Sequence, residues 1–213
     1  MKTDNFLKEI KVHCPDFELR GKDKSLFIRF LGALLFFNPK FMTSFTTTIG
    51  SKVYFPKSTA LEDKPVATCI TLLHEIVHIL DGKKYGKITF SLLYMFPQIL
   101  ALLTLPALFF FGYWGLLFLL FLLPLPAYFR MKFERRAYLT ELYVAQKLTD
   151  RLQVTIDLDV HAGLVKKNFN CSSYYWMWVF PLDFNESCEK IKQGHHPFED
   201  PIFNTIDDLI NKL

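Results

Sequence analysis

No two cysteines stand close enough in the sequence to make a metal-binding CxxC pair: Cys14, Cys69, Cys171 and Cys188 are scattered along the 213 residues. That spacing excludes a cysteine zinc site, and nothing in it demands disulfides, which fits a reducing compartment. An excess of one charge sign is also missing. The formal net charge is +4, and its basic residues gather beside an apolar block, so it is not a nucleic-acid footprint. The polar opening Met1-Lys2-Thr3-Asp4-Asn5 is not followed at once by an apolar segment, which argues against a cleaved signal peptide.

The most informative absence is of charge. No charged residue occurs from Ile88 to Phe129, a stretch dense in Leu and Phe. About 20 apolar residues at ~1.5 Å each span a hydrocarbon core, so this block predicts a helical hairpin that crosses a membrane twice. Gly112-Tyr113-Trp114-Gly115 marks its turn, with the Tyr and Trp suited to a membrane–water interface. Pro97, Pro106, Pro124 and Pro126 would kink the spans. Lys83, Lys84 and Lys87 precede the block and Arg130, Lys132, Arg135 and Arg136 follow it. Basic flanks on both sides place both ends in the cytoplasm. The expectation is an integral protein of a plasma or inner membrane in three parts, 1–87, 88–129 and 130–213, the middle one an insertion.

Within the first part stands His74-Glu75-Ile76-Val77-His78. Positions i and i+4 of a helix share a face, so both imidazoles can reach one metal ion. Glu75 follows the first histidine and is placed to take a proton from a metal-bound water. Zinc with an open position lowers the pKa of that water to about 7, which gives a nucleophile for amide hydrolysis. The competing reading is an amphipathic helix with two ordinary histidines. Apolar neighbours from Ala67 to Leu80 predict a buried helix that begins near Leu61 or Pro65, after Ser58-Thr59, and that Asp81-Gly82 ends.

Catalytic zinc takes a third protein ligand. HExxHxxGxxH is excluded, because Asp81 and Lys84 stand where Gly and His would be needed. A glutamate on a later helix is the alternative, and Glu134 qualifies, with the small Ala137 one turn on to allow close helix approach. Glu141 lies two turns from Glu134 on nearly the same face and is a candidate to orient a zinc histidine; His161 is an outside candidate. HExxH, an apolar hairpin and a glutamate in an E-x-x-A helix together resemble the gluzincin-type membrane zinc metallopeptidases, the HtpX-like group, over roughly residues 40–150. The resemblance implies a zincin-like α+β domain with Zn2+ on His74, His78 and Glu134 and Glu75 as catalytic base. The departure is Tyr138, where that group usually has Asp after the Ala. The E-x-x-A-Y form is also similar to shorter HExxH peptidase domains of bacteriophages and toxins.

Elsewhere, Phe6, Leu7 and Ile10 predict a short N-terminal helix, and the charged residues up to 25 a loop. Leu26 to Phe37 reads as a helix that is either interfacial or buried, stopped by Asn38-Pro39. Phe41–Thr48 and Lys52–Pro56, separated by Gly50-Ser51, read as a β-hairpin just before the motif helix. In zinc peptidases an edge strand there commonly receives the substrate backbone; the alternative is a hairpin that only covers the core. Val154–Val160 alternates like a strand, residues 172–180 are strongly aromatic, and 202–213 predicts a terminal amphipathic helix. Arg135 and Arg136 are candidates for an oxyanion or lipid headgroups, and His195-His196 is an exposed, idle pair. The whole predicts a membrane-anchored zinc metallopeptidase whose partners are a peptide or protein substrate and membrane lipid, with its site on the cytoplasmic side. The competing classes are a non-catalytic membrane component and a membrane-active toxin or lysis factor.

Overall fold

The computed structural model describes residues 3–34, 40–123, 125–153, 156–171, 177 and 181–212. In chain order, helix α1 (Thr3–His13) leads to strand β1 (Glu18–Gly21), a 3-10 turn (Lys22–Lys24) and helix α2 (Leu26–Leu34). A helical turn α3 (Lys40–Thr43) precedes strands β2 (Thr47–Ile49) and β3 (Lys52–Phe55), followed by α4 (Ala60–Asp63) and the motif helix α5 (Pro65–Tyr85). Next come α6 (Lys87–Met95), a 3-10 segment (Gln98–Leu103), α7 (Thr104–Phe111) and a second 3-10 segment (Gly112–Leu122). Helices α8 (Tyr128–Leu152), α9 (Leu158–Asn170), α10 (Phe184–Lys192) and α11 (Ile202–Asn211) complete the chain. The protein is mostly helical with one small sheet, which is compatible with an α+β class.

The sheet has the order β1-β3-β2. β2 and β3 form the expected hairpin around Gly50-Ser51, with Thr48 opposite Val53. β1 pairs parallel to β3, Leu19 beside Val53, where the sequence predicted a loop. Residues 41–43, read as strand, instead close the turn α3.

Helix α5 is the axis of the core. Cys69, Leu72, Leu73, Ile76 and Val77 are fully buried along it, around its length rather than on one stripe, as a central helix requires. They meet Ala137, Leu139, Val144 and Leu148 of α8, Phe6 and Ile10 of α1, and Phe203 and Ile206 of α11 in one continuous cluster. The cysteines are free, and burial pushes the Cys69 thiol up to about 12, so it behaves as a small core residue.

Three sequence expectations change here. Asp81-Gly82 does not end α5. Asp81 is buried and paired with Arg136, which holds it inside the helix, and the stop comes at Gly86 with φ +86, a conformation that side chains with a Cβ resist. Of the predicted strand Val154–Val160, residues 154 and 155 lie outside the described residues, and helix α9 begins at Leu158. Asp157 caps α9 by accepting a hydrogen bond from the Val160 amide at 3.0 Å, and Ala162, Val165 and Phe169 then share one buried helical face. Arg135 and Arg136, read as candidates for an oxyanion or lipid headgroups, are engaged by acidic groups of the protein: Arg135 pairs with Asp183, and Arg136 lies between Asp81 and Asp200. The aromatic residues 172–180 lie outside the described residues, apart from the buried Met177.

Where the sequence predicted two crossings, the charge-free block contains one helical stretch, Gln98–Leu122, that is long and apolar enough to cross a membrane by length and composition only, because it reverses within itself. Only 11% of its most apolar part is buried, unlike the core helix of a soluble protein. Gly112 takes φ +57, and a Cβ on Gly115 would meet the Leu108 amide nitrogen at 2.3 Å. The second 3-10 segment therefore folds back onto α7, with the reversal at the Gly112–Gly115 turn. Leu105, Phe109, Phe110, Tyr113 and Trp114 are all largely exposed.

Candidate metal centre

The i, i+4 geometry of α5 puts His74 and His78 on one face, both buried. Opposite them, α8 presents Glu134, 2% exposed, with the fully buried Ala137 one turn on. That small side chain lets α8 approach closely, as the E-x-x-A spacing predicted. The Glu134 carboxylate lies 3.5 Å from His74 Nε2 through Oε2 and 3.4 Å from His78 Nε2 through Oε1. The two distances run to different oxygens of the one carboxylate, which therefore lies between the two imidazoles. One ligand atom from each of the three residues falls within 4.8 Å of the others, and the group can hold a metal ion.

Two further observations fit that donor set. Among the described residues, Glu134 Oε2 is a buried polar atom without a hydrogen-bond partner, and a partnerless buried carboxylate oxygen is costly. The electrostatics agree. Burial raises the Glu134 carboxyl, but the His78 and His74 imidazoles more than reverse this and hold it well below the usual carboxylate range. Burial lowers His74, yet the nearby Glu134 carboxylate and the imidazole's own hydrogen bond to Glu141 lift it well above an ordinary imidazole. The pocket is thus a field of buried carboxylate charge that favours a cation, answered in this structure by His74.

Glu141 is not in the ligand group. One oxygen bonds His74 Nδ1 at 2.8 Å and the other bonds His161 Nε2 at 2.8 Å. Burial opposes its charge, but these two imidazoles draw its pKa down to about 2, so it is ionised at neutral pH. It fixes His74 with Nδ1 toward α8 and Nε2 toward Glu134, the carboxylate–histidine arrangement that supports metal ligands. Tyr138, the departure from the gluzincin-type pattern, sets its ring edge-on to His74 at 4.7 Å and accepts a hydrogen bond from Asn168 at 3.1 Å. His161 touches the Glu141 carboxylate and not the ligand group, and His196 pairs with Asp207 at 3.0 Å, away from the site.

Glu75 is buried on α5, and its Oε2 accepts a hydrogen bond from Thr48 Oγ1 at 2.6 Å. Thr48 lies on β2, an edge strand, so the sheet holds the carboxylate of the motif helix. Lys22 is fully buried, bonded to the Phe41 carbonyl and set over the Phe41 ring. Burial lowers its pKa to about 8 while the Glu75 charge pulls it back up.

Sequence reasoning missed Thr48, Lys22 and Tyr94. The Tyr94 hydroxyl donates to Glu134 Oε1, and its ring meets His78 edge-on at 5.8 Å. One signal was present: Tyr94 and Gln98 are polar groups four residues apart at the start of a charge-free run, and polar groups in such a run are expected to find partners. No family model matches this chain, and searches of curated proteins and of solved structures find no match either. The resemblance to gluzincin-type peptidases therefore rests on the motif residues alone.

Proposed function

We propose that this protein is a membrane-anchored zinc metallopeptidase of zincin-like fold that hydrolyses peptide bonds. The observation that carries the reading is the buried His74–His78–Glu134 group, whose ligand atoms lie within 4.8 Å of one another, with a further carboxylate, Glu75, on the same helix and outside the group. Two imidazoles and a carboxylate are the donor set of catalytic zinc, and three protein ligands leave a position open. Bound there, zinc would supply an acidified water and polarise a carbonyl. Glu75, held by Thr48, would serve as the base that moves a proton from the attacking water to the leaving amine. Edge strand β2 lies next to α5, which suits a substrate backbone added as a further strand. The outward apolar face of Gln98–Leu122 supports anchorage in a bilayer, and the basic residues on both flanks support a cytoplasmic site.

The test uses the full chain in nanodiscs with a quenched-fluorescence peptide library. Hydrolysis is expected, abolished by a zinc chelator and restored by added Zn2+. Zinc-loaded protein that cleaves no member of the library, yet releases dye from lipid vesicles, would favour the membrane-active alternative. A second prediction concerns the base. Thr48→Val is nearly isosteric and removes one hydrogen bond to a charged group, which is worth about 1.5–3 kcal/mol. It should lower kcat/KM by about tenfold or more with zinc content unchanged. An undiminished rate would remove Thr48 from the orientation of Glu75.

A further inference from the structure

We propose that Tyr94 is a positioning residue for the metal: its phenol holds one oxygen of Glu134, so that only the other is offered to the ion. The inference rests on the metal-site reading above and adds to it a residue from outside the motif. Three features of the structure converge on it.

The two carboxylate oxygens of Glu134 are not equivalent. Oε1 accepts the Tyr94 hydroxyl, whereas Oε2 is buried and has no hydrogen-bond partner. Oε2 lies 3.5 Å from His74 Nε2 and Oε1 lies 3.4 Å from His78 Nε2, so both oxygens border the ligand group and only the phenol distinguishes them. A carboxylate free to rotate can close on a metal with both oxygens and occupy two coordination positions. One whose second oxygen is already engaged by a phenol takes one position and leaves room for water. An open position is what separates catalytic zinc sites from structural ones.

Tyr94 is itself fixed. Arg130, 7% exposed and one turn before Glu134 on α8, donates through Nε to the Tyr94 carbonyl at 3.0 Å. Its guanidinium lies 5.2 Å from the centre of the Tyr94 ring and bonds Gln98 Oε1 at 3.3 Å. Gln98 in turn donates to the Leu125 carbonyl at 3.3 Å. Tyr94, Gln98, Leu125 and Arg130 thus tie both ends of the apolar insertion to the helix that carries the third ligand. An outer partner of this type usually controls about 10–100-fold in metal affinity.

The experiment compares wild type, Tyr94→Phe and Tyr85→Phe as full chains in the same nanodiscs. Tyr85 also packs against α8, through Phe133, but touches no ligand, so its variant controls for the loss of a phenol. Zinc affinity is measured by chelator competition, and the Co2+-loaded protein by its visible absorption spectrum. Tyr94→Phe should weaken zinc by about 10–100-fold and convert an intense four-coordinate cobalt spectrum to a weaker five-coordinate one, while Tyr85→Phe matches wild type. An affinity within twofold of wild type, or an unaltered cobalt spectrum, overturns the proposal and leaves the metal site standing. A wild type that binds neither metal overturns both. If Tyr94→Phe does not fold, the wild-type cobalt spectrum decides alone: four-coordinate supports a carboxylate bound through one oxygen, five-coordinate rejects it.

Discussion

Glu75→Gln is expected to lower kcat by about 10²–10⁴-fold, the contribution of a positioned general base, while the protein keeps its full zinc complement. The expectation combines a chemical loss with a structural retention. An amide has the size and hydrogen-bonding oxygen of the carboxylate, so the contact from Thr48 survives and α5 has no reason to shift. It has no basicity at neutral pH, so it cannot take a proton from the nucleophilic water. Glu75 lies outside the His74–His78–Glu134 group, so metal content should not follow activity down. A loss of about 3–5 kcal/mol in transition-state stabilisation with intact metal is the signature of a base and not of a ligand. Activity within tenfold of wild type would move the base elsewhere, and fallen zinc content would show that Glu75 supports the shell.

The parts of this arrangement that were legible in the sequence are those fixed by spacing along one helix. His74 and His78 meet because they are one turn apart, and Glu134 reaches them because Ala137 lets α8 lie close to α5. Glu141 was legible as a face-sharing neighbour of Glu134, but its role depended on the rotation of His74, which no spacing encodes. Tertiary contacts were illegible for a different reason. Thr48 reaches Glu75 across 27 residues and Tyr94 reaches Glu134 across 40, so each depends on how separate elements dock. The same holds for β1, a four-residue strand with no alternating pattern, whose only support is its parallel pairing with β3. Asp81-Gly82 misled because its local signal was a helix end, while its partner Arg136, 55 residues away, made the interior of the helix the better place for it.

Replacing a ligand and replacing the residue behind a ligand should give different metal losses. His78→Ala removes one of three donor atoms and is expected to abolish stoichiometric zinc binding in purified protein, with activity lost alongside. Two remaining ligands cannot close a shell around zinc, and Glu134, which owes its low pKa largely to His78, would be left buried with less compensating charge. Glu141→Gln should act more mildly, because His74, His78 and Glu134 all remain. An amide oxygen still accepts from His74 Nδ1, but the negative charge that strengthens that imidazole is gone, and the bond to His161 on the other side weakens with it. The expected cost is about 10–100-fold in zinc affinity, with one zinc per chain regained at higher metal concentration. Metal analysis across a zinc titration of wild type and both variants separates the cases. A graded series, full binding, then weakened binding, then none, assigns the donor roles on α5 and α8. Equal zinc content in wild type and His78→Ala would mean that the metal sits elsewhere, and the HExxH histidines would then be core residues of a membrane protein with some other function.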